Sequence, residues 1–173
     1  MLLRLAGAVA VLLASAALGF YCGVRETFRV RDLMEFKKAL VILASEIEYM
    51  RAPLPAACAN IAGRVVGPIS VIWSHFSDLL TKNKGETAYQ LWVQAIDSQK
   101  EDTYFAPEDI EILDGFGKTL GYLDKKMQLN AINYAADYID EKAAVLKASE
   151  NKNKRMYRSL GIIGGFLLAV ILW

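Results

Sequence analysis

The sequence predicts an all-α protein: two terminal transmembrane helices flanking a cytoplasmic bundle of about six helices. Three observations carry this. Apolar residues through the middle of the chain recur at steps of three and four, and no stretch alternates with the period of two that a sheet requires. Uncharged apolar runs lie at both ends, and lysines and arginines gather where those runs meet the middle. The implied organisation is an N-terminal transmembrane helix over 1–24, a helical bundle over 25–146, a polar basic stalk over 147–158 and a C-terminal transmembrane helix over 159–173.

After Arg4, the twenty residues from Leu5 to Val24 carry no charge. As a helix they cover about 30 Å, enough to span a bilayer. Ala14, Ser15 and Ala16 would suit a signal-peptide cleavage site, but eight further apolar residues would then remain on the mature chain. Phe20 and Tyr21 ahead of Cys22 are too large for a lipidation signal, so the segment reads as an uncleaved anchor. The fourteen residues from Leu160 to Trp173 cover only about 21 Å, with Met156 and Tyr157 entering the interface and Gly161, Gly164 and Gly165 suited to close helix pairing. Arg25, Arg29 and Arg31 follow the first run and Lys147, Lys152, Lys154, Arg155 and Arg158 precede the second. The positive-inside rule therefore puts the middle region in the cytoplasm, at the cell membrane.

The 54% hydrophobic content comes mainly from the two apolar ends, leaving a middle region of ordinary soluble composition. Between Asp32 and Leu146 there are 17 Asp and Glu against 11 Lys and Arg. That excess of acid disfavours nucleic-acid binding, which needs a basic footprint on the domain. Cys22 and Cys58 are the two cysteines, too few for a disulfide framework or a zinc site.

The first bundle helix runs from Val30 to Met50, with Leu33, Phe36, Leu40, Leu43, Ile47 and Met50 on one seam. Pro53 and Pro55 stop it, because proline removes a backbone donor and biases its predecessor away from helical angles. A small alanine-rich helix follows from Pro55 to about Val66. Gly67-Pro68 opens a third, whose face of Ile69, Ile72, Trp73, Phe76, Leu79 and Leu80 is the heaviest in the domain. Lys82 to Gly85 is a turn, and Ala88, Leu91, Trp92, Ala95 and Ile96 define a fourth helix before a loop over 97–106.

Pro107 and two carboxylates begin a fifth helix, where the helix dipole favours negative charge. Gly115 and Gly117 weaken it and imply a close helix contact, and Gly121 is a C-cap candidate. Asp124 caps a sixth helix whose Leu129, Ile132, Ala136, Ile139, Ala143 and Leu146 match the seam of the first. An even number of antiparallel helices returns the chain to the side it left. The sixth helix, about 52 Å long to Arg158, outruns the first by roughly 20 Å, and this excess is the stalk.

Enzyme signatures are missing. His75 is the single histidine, and Ser74 beside it points to a different face, so no Ser-His-Asp arrangement with Asp78 can form. No metal-ligand spacing or phosphate-binding glycine loop occurs, and no cofactor is implied. Glu101, Asp102, Glu108, Asp109, Glu111 and Asp114 form the densest acidic cluster. Two readings stay open: a solvated loop and first turn, or a docking surface for a basic partner centred on Asp109 and Glu111.

Glu46-Ile47, Tyr49 and Pro53-Leu54 at the first corner, then Phe116-Gly117, Leu120-Gly121, Asp124 and Gln128 near the last, carry a resemblance to the stage III sporulation protein AB family of endospore-forming bacteria. It extends over nearly the whole chain. The resemblance implies a non-enzymatic scaffold subunit of a sporulation channel between mother cell and forespore, in the outer forespore membrane. The family's soluble region is similar to the cytoplasmic domain of type II secretion inner-membrane platform proteins. That similarity implies docking of a cytoplasmic secretion-type ATPase and other membrane subunits. Of these residues Glu46, Tyr49 and Gln128 are read as surface contributors and the others as structural. The competing reading is a two-pass membrane sensor or adaptor whose bundle binds a small ligand, but such proteins usually carry a separate signalling domain.

Overall fold

The computed structural model describes residues 25–50, 52–82, 85–121 and 124–172, with side chains as far as Ser149. It divides into two compact units: Arg29–Ala143, and Met1–Phe28 together with Ala144–Trp173. Among the described residues there are six helices and no strand. The predicted anchor over 1–24 lies outside the described residues, as do the side chains of the second anchor and most of the stalk. Among the described residues no helix is long and apolar enough to cross a membrane.

Helix α1 covers residues 25–50, and its last five residues, Glu46–Met50, form a π-helical turn. Leu33, Phe36, Leu40 and Leu43 of the predicted seam are fully buried. Beyond them the seam departs from expectation. Glu46, one turn on from Leu43, stays on the inner face, and beyond it the π turn takes up more residues per turn, so Met50 no longer comes round to the core. Glu46 becomes buried in place of Ile47, and Met50 turns out to solvent at 68% exposure.

Helix α2 spans Leu54–Ala62 and is shorter than expected, since the chain turns at Gly63 and Arg64 before the Gly67-Pro68 break. Helix α3 is Pro68–Thr81, tied back to α2 by the Ser70 hydroxyl donating to Ala62 O and the Ser77 hydroxyl to Pro55 O, both at 2.8 Å. Helix α4, Ala88–Asp97, starts in a capping box: Gln90 N–H donates to Thr87 Oγ1 and Thr87 N–H to Gln90 Oε1. Helix α5 is Pro107–Gly117, and Gly121 closes the following turn at φ +90°, a left-handed conformation that glycine adopts without steric cost. Helix α6, Lys125–Leu172, is capped as predicted by Asp124, whose Oδ1 accepts from Met127 N–H at 2.8 Å.

Aromatic side chains make the centre of the core. Trp92 lies 5.1 Å from both Trp73 and Phe76 and 5.5 Å from Phe116, and Phe36 of α1 reaches all but Phe76 of this group within 6.4 Å. The Trp92 indole N–H donates to Leu113 O at 2.9 Å, joining α4 to α5. The predicted close contact is at Gly117: a Cβ there would meet Trp92 Nε1 at 2.7 Å and its Cδ1 nearer still. Gly115, by contrast, faces open space. Leu33, Leu40, Leu43, Ile61, Ile69, Ile72, Leu91 and Leu113 fill the space around the rings, each worth roughly 1.5–3 kcal/mol on burial.

α1 and α6 run antiparallel, side by side. Lys37 pairs with Asp140 at 2.5 Å, and Lys125 Nζ donates to Glu48 O at 2.9 Å near the other end. α6 buries Ile132, Ala135, Ile139 and Ala143; Ala135 replaces the predicted Ala136, one position along the same face.

Candidate functional site

The residues singled out in the sequence fall into two groups that the fold keeps apart. One group collects at a corner of the bundle where α1 turns into α2 and α5 turns into α6. The π turn carries Tyr49 and Met50 outward, 75% and 68% exposed, and Pro53 is exposed beyond them. The Lys125–Glu48 hydrogen bond brings the start of α6 to the same place, with Met127 51% exposed, Asp124 exposed and Gln128 half-buried. Exposed apolar side chains gathered next to flanking charge (Glu48, Asp124, Lys125, Lys126) form a surface suited to protein contact.

Beneath this corner the remaining motif residues are structural. Phe116, Gly117 and Leu120 are buried, and Leu54 is half-buried. Glu46 is corrected from surface contributor to internal anchor: its carboxylate accepts from the Asn60 side-chain amide, which fixes α1 to α2. Burying an acid is costly unless hydrogen bonds compensate, and Asn60 supplies one.

Asp109 is the second correction. Read as a candidate for a basic partner's docking surface, it is instead fully buried at the start of α5. Arg29 grips it with two hydrogen bonds, Nε to Oδ2 at 2.7 Å and Nη2 to Oδ1 at 2.9 Å. Oδ2 also accepts from Ala106 N–H at 2.8 Å, so the same carboxylate caps α5, and the Tyr138 hydroxyl lies 3.4 Å from Oδ1. Glu108, half-exposed, is shared between Arg29 at 2.7 Å and Lys142 at 3.1 Å. Hydrogen bonds from Arg29 and then Lys142 hold the Glu108 carboxyl below its ordinary range. The Asp109 and Glu108 carboxylates hold the Arg29 guanidinium firmly protonated, and burial beside Asp109 pushes the Tyr138 phenol up to about 12. Every charge in this cluster already has a partner inside the chain. Glu111 alone of the pair stays exposed. Along α1, Arg29 and Tyr49 are about 30 Å apart, so Asp109 and the corner do not form one site.

Sequence reasoning missed a third buried acid. Asp32, 1% exposed, accepts from Tyr104 N–H at 3.1 Å and from Arg31, pinning the α4–α5 loop to α1. Phe105 follows into the core, edge-on to Phe36 at 6.3 Å.

His75 is half-exposed and shares a hydrogen bond with the Ser98 hydroxyl at 3.0 Å, while Ser77 is committed to Pro55 O. The Ser98 hydroxyl donates its own proton to Ala95 O at 2.7 Å, so toward His75 it is the acceptor. Among the described residues no group of three or more His, Cys, Asp or Glu is placed to hold a metal. Cys58 is buried in the core, which pushes its thiol up to about 12 and removes it from thiolate chemistry.

Fold and site together define an all-α bundle protein with an exposed apolar corner. The chain belongs to the stage III sporulation protein AB family, whose model matches residues 4–173. It is 32% identical over 171 residues to stage III sporulation protein AB of Bacillus subtilis (strain 168), covering 99% of both chains. A solved structure of a stage III sporulation protein AB superposes with a TM-score of 0.67 at 29% identity, covering 72% of this chain and 98% of that one. The resemblance read from the motif residues is therefore borne out, and the chain's role lies in sporulation. The family is not known as an enzyme family.

Proposed function

We propose that this protein is a non-enzymatic scaffold subunit of a sporulation channel or secretion-like complex between mother cell and forespore. It docks a cytoplasmic secretion-type ATPase and other membrane subunits. The observation that carries the reading is the corner formed by Tyr49, Met50 and Met127, where exposed apolar side chains converge from two separate helix junctions. Of the residues that carry the family resemblance, Tyr49 lies in that patch and Asp124 beside it, both exposed. In this reading the bundle is held in the cytoplasm by the two apolar ends, in the outer forespore membrane on the mother-cell side.

Co-purification from sporulating cells tests the partner: the full chain should retain the ATPase, and the Tyr49→Ala/Met50→Ser pair should lose it while still folding. Retention by the variant would remove the corner from the account. For topology, alkaline phosphatase fused after Gly85 should be inactive. An active fusion would place the bundle on the opposite side of the membrane.

A further inference from the structure

A basic apolar groove lies on the outward face of α1. It has a volume of about 510 Å³ and is lined by Met34, Lys37, Lys38, Val41, Ile42 and Arg64. Met34 and Val41, seven residues and two helical turns apart, are 39% and 52% exposed. Its cations stand out in a region where acids outnumber bases. Lys37 pairs with Asp140 and Lys38 lies 3.7 Å from Glu35, and among the described residues Arg64 has no ion pair.

The neighbouring helix carries the opposite surface. On α6, Tyr134 is 68% exposed, and Asp137 and Glu141, three and seven residues on, are exposed beside it. At about 100° per residue these three lie on the side of α6 facing away from Ile132, Ile139 and Ala143. They form an aromatic and acidic ridge.

The Lys37–Asp140 pair sets the levels of groove and ridge. α1 and α6 are antiparallel, so Glu141 lies within about 2 Å of the level of Lys37 along the bundle. By the same count Asp137 stands level with Leu40, between Lys38 and Val41, and Tyr134 within about 3 Å of Ile42. No shift along the axis is needed to bring one surface opposite the other. Within one chain they sit on adjacent helices and both face outward, so they cannot meet.

We infer that the α1 groove receives the α6 ridge of a second copy of this chain, in a dimer whose two-fold axis runs parallel to the bundle. Such an axis makes the contact twice, each α1 meeting its partner's α6, which is the reciprocity of an isologous interface. Tyr134 enters between Val41 and Ile42, and Asp137 and Glu141 face Lys38 and Arg64. The opposed charges fix the register, since a copy turned end over end would set Asp137 and Glu141 against their own counterparts.

Directed crosslinking of the full chain in phospholipid vesicles tests this, with Cys22→Ser as background. Val41→Cys and Tyr134→Cys chains mixed and oxidised with copper-phenanthroline should give a covalent dimer. Either chain alone should give none above background, because each of those positions lies across the axis from its own copy. Lys38→Glu should reduce the yield and Asp137→Lys on the partner should restore it, a rescue that a merely misfolded variant would not show. No crosslink in the mixture, or an equal one from Val41→Cys alone, would overturn the proposal.

Discussion

Arg29 and Asp109, 80 residues apart in sequence, form a two-pronged ion pair in which the carboxylate is entirely buried and the guanidinium side chain is 16% exposed. That one contact ties the start of α1 to the start of α5, and through the Ala106 N–H it also shapes the turn that leads into α5. Removing Arg29 strands the Asp109 carboxylate where water cannot reach it, whereas removing Asp109 leaves Arg29 paired with Glu108. Arg29→Ala should therefore cost about 3–5 kcal/mol of stability in urea unfolding, and Asp109→Ala, which leaves the Ala106 N–H without its acceptor, about 1–3 kcal/mol. Glu111→Lys, on the exposed side of the same helix, should change stability by less than about 0.5 kcal/mol. Equal effects from the two acids would show that the burial of Asp109 is not what matters.

Two glycines of α5, two residues apart, should respond in opposite directions. Gly117→Ala drives a methyl group into the Trp92 ring and displaces the central aromatic cluster, at a cost of about 1–3 kcal/mol. Gly115→Ala meets nothing and gains roughly 0.5–1 kcal/mol from lower unfolded-state freedom and better helix propensity. Thermal unfolding of both variants separates them. A stabilised Gly117→Ala protein would contradict the described packing of α5 on α4.

Stability should fall at both extremes of pH for identifiable reasons. Arg29 and Lys142 lower the Glu108 carboxyl, and Lys118 and then Tyr89 lower that of Asp114. Groups held below their unfolded values stabilise above those values, near 4, and lose that contribution as pH drops through the folded ones. The Tyr138 phenol is raised to about 12, so its contribution is complete below its unfolded value near 10 and disappears as pH rises through 12. Urea midpoints across pH should show both arms. Asp114→Asn should flatten the acid arm and Tyr138→Phe the alkaline one; unchanged slopes would assign the pH dependence elsewhere.

Much of the fold was legible because it rests on periodicity. Leu33, Phe36, Leu40 and Leu43, the heavy face of α3 and the α6 seam all follow from the spacing of apolar residues. The capping box of α4 has a local signature as well, a threonine three residues ahead of a glutamine. What could not be read was long-range. Asp109 has the sequence context of an ordinary first-turn acid, and only the fold brings Arg29 against it. Arg29 itself looked like one of the charges that flank a membrane segment. The π turn at Glu46–Met50 is a local change of hydrogen bonding that leaves no period in the sequence, yet it carries Met50 out to solvent. The contact corner needed both: Tyr49, Asp124 and Gln128 stand in the sequence motif, but Met50 reads there as a seam residue and Met127 carries no signal, and their convergence depends on the antiparallel pairing of α1 with α6.

The central claim is that this corner is where the secretion-type ATPase docks. The most direct measurement places a photoreactive residue at Tyr49 of the full chain in sporulating cells, with a second version at Glu111 about 20 Å or more away along the bundle. The account predicts a crosslink to the ATPase from Tyr49 and none from Glu111. Capture of the ATPase from Glu111 but not from Tyr49 would contradict it.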